Sequence, residues 1–230
     1  MLRLESCVIE NGGFTLQADL DIAAQGKFAI IGPSGAGKST LIEAIAGFVP
    51  LRAGRILWQG QDLTEKTPGQ RPVAMLFQDG NLFPHLTVAQ NADLGLRPNL
   101  RLTQDERGQV ERALGRVGLS DLAARKPAEL SGGQQSRVAL ARVLLQRRDI
   151  LALDEPFAAL GPALKDEMLD LVAEIADETG ATVLMVSHDP KDARRIADRV
   201  VLVAEGKAHP PRPTADLLDN PPPALRAYLG

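Results

Sequence analysis

Gly32-Pro33-Ser34-Gly35-Ala36-Gly37-Lys38-Ser39, with Thr40 next, sets a lysine and a hydroxyl directly behind a glycine-rich run. Residues of these types at this spacing bind phosphate. Glycines let successive backbone N–H groups turn toward one anion, the lysine reaches the outer phosphates of a nucleoside triphosphate, and the serine hydroxyl is a ligand for the accompanying Mg²⁺. The flanks suit this chemistry, since residues 28–31 are an apolar run of strand length and residues 40–46 carry helical periodicity. The loop should therefore sit at a helix N-terminus, whose positive dipole end adds to the attraction for anions.

Four further features extend this chemistry. Leu130-Ser131-Gly132-Gly133-Gln134 opens a second helical pattern with Ser131 as its natural N-cap, another anion-receptive helix start. The apolar run 150–153 ends in Asp154-Glu155. There the first acid can hold Mg²⁺ through water, and the second can orient and deprotonate a water attacking a γ-phosphate. The run 182–186 leads to Ser187-His188, an imidazole able to hydrogen-bond the γ-phosphate or the attacking water. Gln78, after the apolar run 73–77, can contact Mg²⁺ and the same water.

In this order and spacing, these segments resemble the ATP-binding cassette (ABC) ATPases, over nearly the whole chain. The resemblance implies an α/β fold: a P-loop NTPase core of mostly parallel sheet with helices on both faces, an N-terminal antiparallel β subdomain and an inserted helical subdomain. It implies a single ABC ATPase domain over 1–230, with the core and β subdomain at 1–78 and 150–205, the helical subdomain at 79–149 and a short tail at 206–230. ATP and Mg²⁺ are the implied cofactors. Gly32, Pro33, Ser34, Gly35, Ala36, Gly37, Lys38, Ser39 and Thr40 would hold the chain's own ATP, while Ser131, Gly132, Gly133 and Gln134 would cap a partner's in a head-to-tail homodimer. The same resemblance makes Glu155 the catalytic base, His188 the switch and Gln78 the link to a membrane partner, with Ser39, Gln78 and Asp154 around the metal.

Two departures qualify the transfer. Ala158-Ala159-Leu160-Gly161 stands where the family has S-A-L-D, so Gly161 replaces an acid that helps couple the two sites. Gln134-Gln135-Ser136-Arg137 differs from the importers' Q-x-Q-R. Phe14 is the nearest aromatic able to stack on adenine, although its alternation with Leu16, Ala18, Leu20 and Ile22 favours a core-facing strand position.

Composition bounds the alternatives. The 230 residues are 44% hydrophobic, enough to bury a substantial core, and 26 basic against 29 acidic residues give a net charge of -3. That balance offers no basic field for nucleic acid. A single cysteine, Cys7, excludes an internal disulfide, and His85, His188 and His209 lack metal-ligand spacing. No run approaches the ~18 apolar residues of a membrane span and the N-terminus has no signal-peptide pattern. A soluble chain is expected, peripheral to the cytoplasmic face of a bacterial inner membrane through permease subunits, with a periplasmic solute-binding protein as an indirect partner. Phe83 and Leu86, apolar residues just after Gln78, are the candidate permease contacts.

Within the family, the stretches 71–78, 81–83, 85–91 and 94–96 look like the ATPases of thiamine importers, ahead of those for iron(III) or other small solutes. A soluble, non-transport cassette ATPase working on DNA or ribosomes is the alternative from a different class. Residues 40–130 lack the sustained heptads of the chromosome-maintenance members, and the chain has one cassette where translation-type members have two. A phosphoryl-transferring kinase would explain the phosphate loop but not 130–134 or His188. Lys38→Ala should weaken triphosphate binding itself; equal ATP affinity for variant and wild type in a nucleotide titration would contradict the reading of the loop.

Overall fold

The computed structural model describes residues 1–223, 225 and 226. Its strands are β1 (Leu2–Asn11), β2 (Phe14–Ile22), β3 (Lys27–Ile31), β4 (Leu51–Trp58), β5 (Gln61–Asp62), β6 (Val73–Leu76), β7 (Ile150–Asp154), β8 (Thr182–Val186), β9 (Arg199–Ala204), β10 (Lys207–Ala208) and β11 (Arg212–Pro213). The helices are α1 (Lys38–Ala46), α2 (Val88–Asp93), α3 (Gln104–Arg116), α4 (Gly132–Leu145), α5 (Pro162–Thr179), α6 (Pro190–Ile196) and α7 (Thr214–Asp219). One sheet runs in the order β5-β4-β1-β2-β10-β9-β3-β8-β7-β6, with β11 on β9.

Five neighbouring strands, β9, β3, β8, β7 and β6, are parallel. They read as unbroken apolar runs because both faces are covered, and every residue of β7 and β8 is buried. The half formed by β1, β2, β4 and β5 is antiparallel. There β2 alternates, burying Leu16, Ala18, Leu20 and Ile22 and exposing the residues between, as a strand with one solvated face must. A parallel nucleotide-binding core beside an antiparallel β layer is the arrangement that the sequence implies. The stretch after Ala204, expected as a short tail, also enters the sheet: β10 pairs parallel with β2 and antiparallel with β9, and so joins the two halves. Residues 224 and 227–230 of that stretch lie outside the described residues.

The sheet separates two cores. On one side Leu41, Ile42 and Ile45 of α1 pack with Leu2, Ile9 and Trp58 of the antiparallel layer. Trp58 also donates from Nε1 to Asp149 Oδ2 at 2.9 Å, tying β4 to the approach to β7. On the other side Val138 and Leu140 of α4 and Val172 of α5 cover Leu153 and Met185 of the parallel strands. Helices on both faces leave the carboxyl ends of β3, β6, β7 and β8 along one edge, the place where open α/β sheets collect ligands. Among the described residues no helix is long and apolar enough to cross a membrane.

The helical lobe is fixed locally by three capping boxes, Thr87 with Gln90, Thr103 with Glu106 and Ser131 with Gln134, which start α2, α3 and α4. Asn91 then fixes the approach to α2. Fully buried, it accepts from Phe83 N at 2.8 Å and donates to the carbonyls of Phe83, Leu86 and Thr87 at 3.1, 3.2 and 3.0 Å. Substituting Asn91 by Ala strands the Phe83 N–H and the Leu86 carbonyl, while the carbonyls of Phe83 and Thr87 keep the backbone N–H groups of Leu86 and Asn91. The expected cost is at least about 2 kcal/mol, seen as a lower urea midpoint with an unchanged slope.

Candidate functional site

The phosphate loop leaves β3 and enters α1 through two glycines that no other residue replaces. A Cβ on Gly32 would lie 1.9 Å from the carbonyl oxygen of Val203 in β9. Gly37, the N-cap of α1, has a left-handed φ of 97°, and its Cβ would lie 2.5 Å from Phe14 Cε1. Phe14 is therefore a half-buried wall behind the loop, packed on the antiparallel core.

Lys38 is buried, and its ammonium donates to the carbonyls of Gly32 and Pro33, each at 2.9 Å. Burial lowers its pKa, while Glu155 and Asp154 pull the other way. Ser39 Oγ donates to Asp154 Oδ1 at 3.1 Å. Asp154 is held above the usual carboxylate range, chiefly by burial and further by Glu155 and Asp79, with the Ser39 hydrogen bond and Lys38 opposing. Glu43 on α1 is likewise raised by burial and by Asp154. Acidic charge thus accumulates beside a hydroxyl, a set of hard oxygen donors suited to a divalent cation arriving with a triphosphate. Among the described residues no cluster of three or more His, Cys, Asp or Glu side chains could hold a metal alone.

Glu155 follows β7 with a left-handed φ of 43°, a strained conformation of the kind that gathers at functional sites. Its N–H donates to Val186 O at 3.1 Å, which levels the ends of β7 and β8. As a result the carboxylate meets the imidazole of the next loop, with His188 Nδ1 and Glu155 Oε2 3.0 Å apart. An ionised carboxylate only accepts, so Nδ1 carries the proton in this contact.

Lys38, Ser39, Asp154, Glu155 and His188 therefore converge. Gln78 is exposed in the turn after β6 and has no hydrogen bond to them among the described residues; α4 holds that turn, because Arg142 donates to Gly80 O at 2.7 Å and Asn81 O at 2.9 Å. Ser131 and Gln134 bond each other at the start of α4, Ser131 Oγ accepting from Gln134 N and Gln134 Oε1 from Ser131 N. No described hydrogen bond joins the 131–134 segment to the 32–40 loop. The exposed Ser131 and Gly132 present this helix start outward.

Sequence reasoning passed over Arg71, Arg142, Lys165 and Asp192, which shape the site from outside it. Arg71 donates from Nη1 to the carbonyls of Ala44 and Ile45 at 2.8 and 2.9 Å, closing the C-terminal end of α1. Its burial in a segment of helix-ending turns is the type of signal a single sequence does not display.

Residues 16–158 match the family model for ABC transporters. The chain is 71% identical to the thiamine import ATP-binding protein ThiQ of Ruegeria sp. and 62% identical to that of Cereibacter sphaeroides, covering the whole of both chains in each case. Among solved structures it resembles a dimeric ATP-binding cassette in a post-hydrolysis state bound to ADP and Pi, at a TM-score of 0.83 and 27% identity, covering 93% of this chain and 99% of that one. The chain belongs to the ABC transporter family, as its ATP-binding and ATP-hydrolysing cassette.

Gly161, one of the two departures from the family pattern, is the exposed N-cap of α5 with φ −67°, and nothing lies within 4 Å of where a Cβ would stand. Gly161→Asp should fold with stability within a few tenths of a kcal/mol, because Asp also caps helices. Steady-state hydrolysis should change in turnover or in cooperativity toward ATP; no change in either would make Gly161 neutral.

Proposed function

We propose that this chain is the ATP-hydrolysing subunit of a bacterial thiamine importer. The full-length similarity to thiamine import ATP-binding proteins is the observation that carries the solute assignment. The reading places two copies head to tail beneath two permease subunits at the cytoplasmic face of the inner membrane, with a periplasmic binding protein delivering the solute. Residues 1–78 with 150–205 act as the nucleotide-binding core, 79–149 as the helical lobe and 206–230 as the closing segment.

In that assembly Lys38 leaves the carbonyls of Gly32 and Pro33 for the outer phosphates, and the N–H groups of 32–40 take the rest. The Ser39–Asp154 contact supports both as holders of Mg²⁺, joined by Gln78 from its turn. Mg²⁺, when bound, offsets charge on the β and γ phosphates. Glu155 accepts the proton of the attacking water. A γ-phosphate oxygen can only accept hydrogen bonds, so His188 bridges it to Glu155 only with both ring nitrogens protonated; otherwise it must release one of them. The ring therefore responds to whether the terminal phosphate is present. Ser131, Gly132, Gly133 and Gln134 complete the partner's site.

Phe83 is 46% exposed and Phe48 is 51% exposed, large apolar side chains on the surface near the Gln78 turn, while Leu86 is half-buried. Phe48 stacks edge-on against Phe77 with centroids 5.0 Å apart, which makes the apolar surface continuous with the residue before Gln78. The exposure of Phe83, one turn before the half-buried Leu86, supports these two as permease contacts.

Glu155→Gln should keep ATP binding and accumulate the closed dimer while hydrolysis falls at least about 10²-fold. Cells carrying only that variant should lose uptake of radiolabelled thiamine but not of unrelated solutes. Unchanged turnover would refute the base, and retained thiamine uptake in cells lacking the chain altogether would refute the solute.

A further inference from the structure

His188 and Glu155 stand on different loops, and their alignment depends on what fixes one loop against the other. Beyond the Glu155 N–Val186 O bond, a charged clasp does so from behind. Lys165, in the first turns of α5, places its ammonium 2.6 Å from Asp192 Oδ1 and 3.0 Å from Asp189 Oδ2. Ser187 Oγ donates to Asp192 Oδ2 at 2.6 Å and accepts from Asp189 N at 3.0 Å. Both neighbours of His188 in the chain, Ser187 and Asp189, are thus tied directly or through Asp192 to one cation on another helix. That helix begins where the Glu155 turn ends: Lys165 N donates to Gly161 O at 2.9 Å. A small cavity of about 70 Å³ is bounded by Glu155, Phe157, Leu160, Lys165, His188 and Asp192, so the clasp lies directly behind the reacting pair.

We infer that Lys165 is a positioning residue of the hydrolytic site: its ammonium holds the 187–189 turn against the N-terminal end of α5 and so sets where the His188 imidazole sits relative to Glu155. Ser187 and Asp192 are buried, and the Lys165 side chain is mostly so. Without it, two carboxylates share a poorly solvated space and repel, and the more exposed of the two is Asp189, next to His188. Burial disfavours the charge on Lys165, yet its bonds to Asp192 and Asp189 outweigh this and raise its pKa. The clasp also connects to the 131–134 segment, because Leu160 packs where a Cβ on Gly133 would fall, 2.7 Å from Cδ2. With Gly161 lacking the acid that usually couples the sites, α5 offers a route from that helix start to His188.

The inference rests on Glu155 and His188 being the hydrolytic pair. Steady-state hydrolysis by Lys165→Met should show kcat reduced about ten- to a hundredfold with KM for ATP within about twofold, and Lys165→Arg should restore kcat to within about threefold. Asp189→Asn retains a side-chain cap for α6 but removes the charge, and serves as well if Lys165→Met folds poorly. It should slow turnover comparably, and the double variant should be no slower than either single one. Turnover within twofold of wild type in Lys165→Met, failure of Lys165→Arg to rescue, or multiplying losses in the double variant would overturn the role. Full activity in Glu155→Gln would instead sink the underlying assignment.

Discussion

Ile30, Val186 and Asp154 form one row across three parallel strands, Ile30 opposite Val186 and Val186 opposite Asp154. Everything chemical depends on that register. It ends β3, β8 and β7 level, so the phosphate loop, the His188 turn and the Glu155 turn leave the sheet side by side. It also brings Ser39 within 3.1 Å of Asp154 across 115 residues of chain. A slip of one residue would reverse every side chain of a strand relative to its neighbours, moving Asp154 away from α1 and burying polar groups. The close packing of side chains on both covered faces opposes such a slip. The covered faces of the parallel strands thus both stabilise the fold and align the side chains of the candidate site.

The site is assembled against several local costs. Glu155 adopts a left-handed backbone, Lys38 carries its charge in a buried loop, and Asp154 is raised by burial and by neighbouring acids. On the proposed reading the two electrostatic costs are eased by what the ligand would supply: phosphates for the lysine and cationic charge for Asp154. Packing that does not involve the ligand maintains the remainder, with Gly32 against Val203, Phe14 behind Gly37, and the Lys165 clasp behind His188. A site held in this way leaves the Lys38 ammonium as the main group to move when nucleotide arrives.

Much of this was legible in the sequence, and for identifiable reasons. The parallel strands announced themselves as apolar runs ending in polar residues, and Ser131 marked a helix start through capping chemistry confined to four residues. The loop 32–39 was legible because its backbone demands glycine at fixed offsets. Contacts between distant segments were not. Lys165 meets Asp189 across 24 residues and Arg142 reaches Gly80 across 62, and neither residue type nor local spacing distinguishes them from solvated surface charges. The strand β10 escaped notice because two residues carry no periodicity; only its place between β2 and β9 makes it a strand. Phe14 takes the inward side of β2 that its alternation favoured, half-buried against the antiparallel core with its ring behind the phosphate loop.

Hydrolysis, on this account, requires that one chain's Ser131 close over the nucleotide held by another chain's phosphate loop. Disulfide crosslinking of a Ser34→Cys, Ser131→Cys variant in the Glu155→Gln background, with and without ATP, tests it most directly. A covalent dimer at twice the chain's mass that forms with ATP and fades with ADP is the predicted result. Oxidised cysteines that yield only single-chain species in the presence of ATP would contradict it.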